Sequence, residues 1–384
     1  MRLEVSVKTP DTSFVVFSNT NLADIGTETL SYEMVLKRFK ILNDSEYFIE
    51  QLNLENLQPN LYLPFSDLTA IKREIWFSLN NSKELIDPVE VPVLKKHKSI
   101  EIKPSLCVLI SSPKDLHLCD ETDATIYFQL PNCLKNEIDE YVEMFKRNDR
   151  LIPYFPSVLI GEDFHAAVEL LLSLNPKTIV TDNTGIAFEA YKNRIPWVAG
   201  PMLNIVNSFS LLCLKEDFNC TGAFISNEIS KVQLKGIKNP ENFNLYFSIY
   251  HPIVLMTSRQ CLFHQVSGCW KNKIDETCIP NCEKTSSLQN LKKETFLIEK
   301  SKGNYHHIYN GTNYLNTEIL ADFPDLFSGF MIDLRDINTE TQAIQDKPTL
   351  IKQFENLLKG NDSLNNEIKL EIENTNSIQY KKGI

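Results

Sequence analysis

Four of the nine cysteines in this chain fall within a window of 22 residues: Cys261, Cys269, Cys278 and Cys282. An even spread over 384 residues would put fewer than one cysteine there, so composition does not account for the cluster. Thiolates are favoured ligands of zinc ions and of iron–sulfur clusters. Only three residues separate the last two cysteines, which allows both thiolates to bind one centre. The window therefore predicts a metal site.

The spacing of these cysteines, Cys-x7-Cys-x8-Cys-x3-Cys, does not choose the metal. It differs from the paired CxxC motifs of a zinc ribbon, and either a tetrahedral zinc ion or a four-cysteine iron–sulfur cluster would satisfy four thiolates. The alternative is four independent buried cysteines, because a free cysteine often behaves as a small apolar residue.

The expected redox compartment favours metal binding. The chain opens with MRLEVSVKTP, which lacks the basic and apolar regions of a signal peptide, and it contains no apolar run long enough to cross a bilayer. We therefore expect a cytoplasmic protein with no membrane partner. Cytoplasmic thiols are kept reduced, so clustered cysteines there more often bind a metal than form disulfides.

The charge of the chain limits its partners. A net charge of −11 argues against a protein that coats nucleic acid, and we expect no DNA partner. Residues 259–303, however, carry eight Lys and Arg against five Asp and Glu. This local excess permits an RNA contact beside the cysteines, although a solvated surface explains it equally simply.

Five residues are candidates for substrate binding. Arg259 precedes Cys261 and can bind an anionic group through two hydrogen bonds. His264 follows Cys261 and can donate a hydrogen bond to a sulfur of the metal centre. The other three follow short apolar segments, where a barrel of parallel strands places its site: Asp182, Asn204 and Asn207.

Each of these candidates has a structural alternative. Asn and Asp at strand ends are often turn formers or helix caps, a lone histidine is often a satisfied structural residue, and an arginine often forms an ion pair. The sequence identifies no catalytic residue. It lacks HExxH, GxGxxG and GxxxxGK[ST] motifs. It also shows no spacing that would place a histidine beside both a nucleophile and an acid.

Periodicity indicates the elements that position these residues. Residues 1–95 contain an alternating hairpin and an amphipathic helix with Asp67 at a candidate N-cap, which indicates a small α+β domain. From 103 to 255, short apolar strands alternate with amphipathic helices. This pattern predicts an α/β fold in which a parallel sheet forms a closed or incomplete TIM-type (β/α) barrel.

The remaining sequence predicts two further segments. Residues 256–345 contain the cysteines and strand-like stretches, and we expect a β-rich unit with a hairpin turn at Asn310-Gly311. Residues 346–384 are charged and rich in asparagine, which predicts one helix followed by a disordered tail.

Several segments resemble the collagenase-like peptidase family U32. They are the cysteine segment HPIVLMTSRQCLFHQVSGCWKNKIDETCIPNCEKTSSLQNLK, the segments GNYHHIYNGTNYLNTEIL and FSGFMIDLRDI that follow it, and the barrel segment VAGPMLNIVNSFSLLCL. Within the family, the resemblance is closest to the branch that includes the bacterial 23S ribosomal RNA 5-hydroxycytidine synthase. Residues 1–95 are similar to a domain inserted between the two halves of those longer proteins.

The resemblance implies a function that spacing alone does not. Several members of the family act in hydroxylation of RNA bases or of ubiquinone precursors and carry a [4Fe–4S] cluster, which here would be bound by Cys261, Cys269, Cys278 and Cys282. This implies an iron–sulfur-dependent RNA-base (cytidine) hydroxylation protein, or a subunit of one. The alternatives are a collagenase-like peptidase and a non-catalytic interaction subunit with a structural metal.

The resemblance also implies a partner. Full-length members begin with a barrel half that precedes the inserted domain, whereas this sequence opens at that domain. Either a separate polypeptide carries the N-terminal barrel half, or the chain is a truncated or divergent product of the family.

The metal content of the protein tests the cysteine window. Protein purified without oxygen should be brown and contain about four iron and four sulfide ions per chain, because the family resemblance implies a [4Fe–4S] cluster bound by the four cysteines. Iron and sulfide analysis of the wild type beside Cys269→Ser measures this. Colourless protein that contains zinc would contradict the cluster and favour the zinc alternative.

Overall fold

The computed structural model places the chain in two compact units, Met1–Val93 and Leu94–Ile384. It describes the following residues: 1–26, 29–39, 47–80, 94, 103–266, 268–271, 278, 286–301, 303, 305–337, 346–361, 363–372 and 374–383. No helix in these described ranges has the length and apolar character needed to cross a bilayer.

The first unit pairs a hairpin with two helices. Strands β1 (Arg2–Lys8) and β2 (Ser13–Asn21) are antiparallel, which confirms the predicted hairpin. Helices α1 (Tyr32–Phe39) and α2 (Phe65–Leu79) follow. The core of the unit contains one residue from β2 and the predicted apolar stripe of α2: Val16, Leu68, Ile71 and Ile75.

Helix α2 begins earlier than its sequence predicts. Its first residue is Phe65, so Asp67 lies inside the first turn and does not cap the helix. The Asp67 carboxylate instead accepts hydrogen bonds from the backbone N–H and the hydroxyl of Thr20, at 2.8 and 2.5 Å. The side chain therefore connects the helix to β2.

The second unit contains a barrel of short parallel strands. These strands are apolar runs because each is covered by helices outside and by other side chains inside. Seven of them precede the cysteine segment: β3 (Ser105–Ile110), β4 (Thr125–Gln129), β5 (Leu151–Phe155), β6 (Ile179–Thr181), β7 (Trp197–Ala199), β8 (Gly222–Phe224) and β9 (Asn244–Ser258).

Helices connect these strands and cover the outside of the barrel. Asn183 and Asn207 accept hydrogen bonds from the first-turn N–H groups of α6 (Thr184–Lys192) and α7 (Ser208–Phe218), as N-caps do. The helices between β3 and β9 are: α3 (Leu118–Glu121), α4 (Ile138–Arg147), α5 (Glu162–Leu174), α6 (Thr184–Lys192), α7 (Ser208–Phe218) and α8 (Lys231–Lys235).

An antiparallel sheet is inserted before the barrel closes. The second half of β9 leaves the barrel and pairs with β12 (Tyr305–Leu315), which pairs in turn with β11 (Thr295–Ser301) and β10 (Ser286–Gln289). The inserted elements are: α9 (Leu262–Val266), β10 (Ser286–Gln289), β11 (Thr295–Ser301) and β12 (Tyr305–Leu315).

The barrel closes through a strand on the far side of this insertion. After α10 (Glu318–Asp322), strand β13 (Gly329–Asp333) lies parallel to both β9 and β3. In the described part of the chain, eight parallel strands thus form a closed barrel, which confirms the predicted TIM-type α/β fold. The predicted boundary at residue 255 is not a barrel boundary, because it falls inside β9 and omits β13.

The turn expected at Asn310-Gly311 is absent, because both residues lie inside β12. The register of β12 against β9 shifts between Tyr309 and Asn313, so the intervening residues form a bulge. A Cβ atom on Gly311 would approach the carbonyl oxygen of Thr295 to 2.5 Å, which accounts for glycine at this position. An Asn-Gly pair thus bends this strand without ending it.

The described C-terminal residues form helices and a short strand where the sequence predicts a disordered tail. Helix α11 (Lys347–Leu358) agrees with the predicted helix, and it is followed by α12 (Leu364–Glu371), β14 (Thr375–Asn376) and α13 (Ile378–Lys382). The prediction relied on the charged composition of this segment, but three of its apolar side chains are almost fully buried: Ile368, Ile372 and Tyr380.

Candidate active site at the barrel mouth

A cavity of about 1160 Å³ opens at the carboxyl ends of the barrel strands. Inward-facing apolar residues fill the barrel below it, among them Leu109, Tyr127, Val180 and Met331. Side chains alternate along a strand, so the inward position two residues later faces the cavity. Those positions are mostly polar: Ser111, Gln129, Asp182, Ser226, Ser248 and Asp333.

Asp182 is a buried carboxylic acid in the wall of this cavity. Its Oδ2 accepts a hydrogen bond from the Tyr154 hydroxyl at 2.6 Å, and its Oδ1 accepts one from the Met202 N–H at 2.9 Å. Burial raises the pKa of Asp182 to about 6, and the two hydrogen bonds oppose that rise. The group can therefore change protonation state near neutral pH.

Tyr154 and Gly200 complete the surroundings of Asp182. Burial and the neighbouring Asp182 charge raise the pKa of Tyr154 well above its usual value, so its hydroxyl remains a donor. A Cβ atom on Gly200 would overlap the carboxyl group of Asp182. Glycine at this position thus makes room for the acid at the end of β6.

A salt bridge between Asp333 and Arg335 forms another part of the wall. Arg335 Nε donates to both carboxylate oxygens at 2.8 and 3.0 Å, and an Nη donates to Oδ2 at 2.6 Å. Burial would lower the pKa of Arg335, but the adjacent Asp333 carboxylate raises it above its usual value. The arginine therefore keeps its charge inside the cavity.

Ser248 and His251 form a polar pair on β9. Ser248 Oγ lies 2.9 Å from His251 Nδ1, and the imidazole ring stacks on Tyr314 with a centroid separation of 4.8 Å. Burial lowers the pKa of His251 to about 4, and the nearby Asp333 carboxylate only partly offsets it. The imidazole is therefore neutral at physiological pH.

The inserted sheet supplies the far wall of the cavity. His307 lies between Thr257 Oγ1 at 3.1 Å and Ser301 Oγ at 3.2 Å, and burial lowers its pKa to about 4. The Tyr309 hydroxyl donates to Glu299 at 3.1 Å. The cavity is thus shared between the barrel and its insertion.

The candidates from sequence do not all lie together. Asp182 and Asn204 line the same cavity, and Asn204 has left-handed backbone geometry with φ of 53°. Asn207 is the N-cap of α7 and accepts a hydrogen bond from the Ser210 N–H at 2.9 Å.

The two candidates near the cysteines lie elsewhere. The guanidinium carbon of Arg259 lies 5.6 Å from the centre of the Tyr305 ring, and His264 is exposed on α9. Neither lines the cavity among the described residues.

The cysteine site is only partly described. Cys261 is buried in a cluster with Leu262 and Phe263, Cys269 is half-buried, and Cys278 is buried, whereas Cys282 lies outside the described residues. Within the described positions, no three His, Cys, Asp or Glu side chains group closely enough to bind a metal. The four-cysteine centre therefore stays a prediction.

Strand alternation could have found several of the residues that sequence reasoning missed. Gln129, Ser226 and Ser248 each lie two positions after an inward apolar residue. Sequence reasoning missed Tyr154 because an aromatic residue inside an apolar strand normally indicates a core residue. Asp333 was hidden because its strand was assigned to the C-terminal unit.

These features define a closed (β/α) barrel with a polar, partly charged mouth, an architecture that places enzyme sites at this end. No family model and no curated protein matches the sequence. One similar solved structure is described as "The Structure of the U32 Peptidase Mk0906", with 12% identity, a TM-score of 0.34, and coverage of 63% of this chain and 96% of that chain. A likeness of this extent does not establish the family or the activity of the chain.

The pH dependence of stability tests the environment of Asp182. Its pKa rises from 3.8 to about 6 on folding. Between these values the folded chain retains a proton that the unfolded chain releases, so this contribution to stability is present at low pH and is lost as pH rises through about 6. Asp182→Asn removes the effect and should gain about 2 kcal/mol relative to wild type between pH 4 and pH 7.

Urea unfolding of the barrel unit at both pH values measures this difference. Asp325→Asn, at an exposed aspartate, serves as the control and should follow the wild type. An Asp182→Asn variant that also follows the wild type would show that Asp182 has an ordinary pKa.

Proposed function

We propose that this chain is an enzyme, or a subunit of one, that hydroxylates a base of RNA held in the barrel mouth. The observation that carries the proposal is the buried Asp182–Tyr154 pair, joined by a hydrogen bond of 2.6 Å in the wall of a large polar cavity. Titratable groups whose pKa values are strongly shifted concentrate at functional sites. The resemblance of the cysteine segment supplies the reaction class.

The lining of the cavity suits an unpaired base. Enzymes that modify a base take it out of the stack into a pocket, where side chains contact its faces and its hydrogen-bonding edge. Tyr141 and Met202 offer partly exposed apolar surface, and Gln129, Asn132 and Asn227 offer amide groups. Amide side chains can both donate to and accept from a base edge.

The charge of the cavity bears on which part of RNA can enter it. Arg335 already pairs with Asp333, and carboxylates outnumber arginine and lysine in the described lining. A neutral base is compatible with this surface, whereas a phosphate would be repelled. We therefore propose that the base enters the cavity and that the backbone stays outside.

Hydroxylation replaces a C–H bond of the base with C–OH, so an oxygen-donating oxidant must enter the mouth as a co-substrate, transfer its oxygen atom and accept the two electrons. Within this proposal, Asp182 takes up or releases a proton, and Tyr154 holds the Asp182 carboxyl group in position. An acid with a pKa of about 6 is divided between both protonation states near neutral pH, which suits general acid–base catalysis. Tyr154 remains a donor and holds Oδ2, while the Met202 N–H holds Oδ1. The [4Fe–4S] cluster, if the cysteine segment binds one, would supply electron transfer. RNA and a second subunit are the proposed partners.

Oxidised nucleosides in cellular RNA test this proposal. Cells that lack the gene should lose a pyrimidine nucleoside heavier by one oxygen atom, and the wild-type gene should restore it. Asp182→Asn should restore less than about 1% of it, because positioned proton transfer contributes on the order of 100-fold or more. Mass spectrometry of digested RNA measures the loss, with Asp325→Asn as the control. Equal nucleoside profiles in deleted and intact cells would contradict the proposed substrate.

Peptide hydrolysis is the second candidate function, and Ser248 with His251 favours it. A serine hydroxyl 2.9 Å from an imidazole nitrogen is the arrangement that nucleophilic hydrolases use. A hydrolase of this type also needs an acid that orients the histidine. Asp333 is the nearby acid, but both of its carboxylate oxygens accept hydrogen bonds from Arg335. A histidine with a pKa of about 4 is also a weak base. We therefore rank hydrolysis second.

A fluorophosphonate probe separates the two functions. If Ser248 is a nucleophile, the probe should attach to it, and Ser248→Ala should remove both the adduct and any cleavage of gelatin. Ser226→Ala is the matched control, since Ser226 lies at the equivalent inward position of the loop after β8. Intact wild-type protein that gains no adduct, measured by peptide mass spectrometry, would exclude a serine nucleophile here.

A further inference from the structure

Arg335 carries the only lysine or arginine charge among the described residues that line the cavity. Burial dominates the pKa shifts of Asp182 and Tyr154 in the barrel wall and of His307 in the inserted sheet, and the Arg335 charge contributes to all three. The guanidinium group is therefore within electrostatic reach of both walls of the mouth.

The ion pair with Asp333 uses only part of this guanidinium group. Nε and one terminal nitrogen, Nη2, donate to the Asp333 carboxylate at 2.6 to 3.0 Å. The other terminal nitrogen, Nη1, donates to no described residue and is not fully buried. The Arg335 side chain is 16% exposed, against 4% for Asp333. Nη1 therefore offers its two N–H groups to a molecule in the cavity.

The ion pair also fixes the direction of these donors and limits what they can bind. The Arg335 backbone N–H donates to Asp333 Oδ1 at 3.1 Å, so one carboxylate holds both the main chain and the side chain. The pair is neutral as a whole, and the other carboxylates of the lining would repel an anion. The donors therefore suit an oxygen that is uncharged when it binds. A fixed donor lowers a barrier most when that oxygen gains negative charge during the reaction.

Oxygen transfer from an uncharged peroxide creates such an oxygen. The O–O bond breaks, one oxygen forms the new C–O bond of the base, and the other leaves with the electron pair. The base loses two electrons and a proton, and the peroxide gains the two electrons. A protonated Asp182 can give its proton to the leaving oxygen and regain one from the carbon, so that an alcohol or water is released.

We propose that Arg335 is a catalytic residue whose Nη1 holds the leaving oxygen of a peroxide oxidant. This inference rests on the proposed hydroxylation and names the class of its oxygen donor. An N-oxide or an S-oxide leaves as an uncharged amine or sulfide, so it would gain nothing from this donor.

Binding of para-nitrophenol to the full-length chain tests the donor, because the ionised oxygen of this probe changes its absorption spectrum. The pKa of the bound probe should be about one pH unit below that of the free probe, the effect of one charge-assisted hydrogen bond. Asp333→Asn removes the balancing charge and should tighten binding of the ionised probe about 10-fold. Combining Asp333→Asn with Arg335→Gln keeps an uncharged hydrogen-bonding pair and should abolish the shift.

Lys192→Gln is the control, since it removes an exposed positive charge from α6 and should leave the pKa of the bound probe unchanged. A wild type that does not bind the ionised probe, or a shift that persists in the double variant, would overturn the role of Arg335. The proposed function would then still stand, because the analysis of cellular RNA tests it independently.

The oxidant itself is tested in lysates, which retain any partner subunit. Unmodified RNA and tert-butyl hydroperoxide labelled with a heavy oxygen isotope are added to lysates of cells with and without the gene. Only the lysate with the gene should form a labelled hydroxynucleoside, detected by mass spectrometry. A hydroxynucleoside without the label would overturn the peroxide and leave hydroxylation standing, whereas no hydroxynucleoside in either lysate would overturn the peroxide as the oxygen donor.

Discussion

Closure of the barrel through β13 is the constraint on which the rest of the structure depends. The strand is only five residues long, yet it is hydrogen-bonded on both sides, to β9 and to β3. Along the chain, the whole inserted sheet lies between β9 and β13, and most of the barrel lies between β3 and β13. This nonlocal pairing brings Asp333 and Arg335 into the same cavity wall as Asp182.

The mouth carries polar groups that burial alone would disfavour. Asp182, Asp333 and Arg335 are tolerated because each has well-placed partners, and the two histidines are tolerated because they are neutral. Apolar layers beneath them hold the strands at fixed spacing. The chemistry of the site is therefore set by how much solvation each group loses and by which neighbour replaces the lost water.

The sequence predicts the barrel well because its strands are local signals. Runs such as TIVT and WVA are apolar on both faces, and Asp182 is conspicuous as the polar residue that follows one of them. Closure is not a local signal, so β13 was assigned to another unit and Asp333 was missed as a site residue. The Asn310-Gly311 pair was misleading for a related reason: the same dipeptide ends a hairpin strand or makes a bulge, and only the neighbouring strand decides which.

Strand β9 belongs to two sheets at once, and this has a mechanical consequence. Its first residues pair within the barrel, its last residues pair with β12, and Ser248 and His251 lie where one sheet gives way to the other. The position of the His251 imidazole therefore depends on the pairing of β9 in both sheets. The inserted sheet also lines the cavity through His307 and Tyr309, so its outer surface and the mouth are two faces of one sheet.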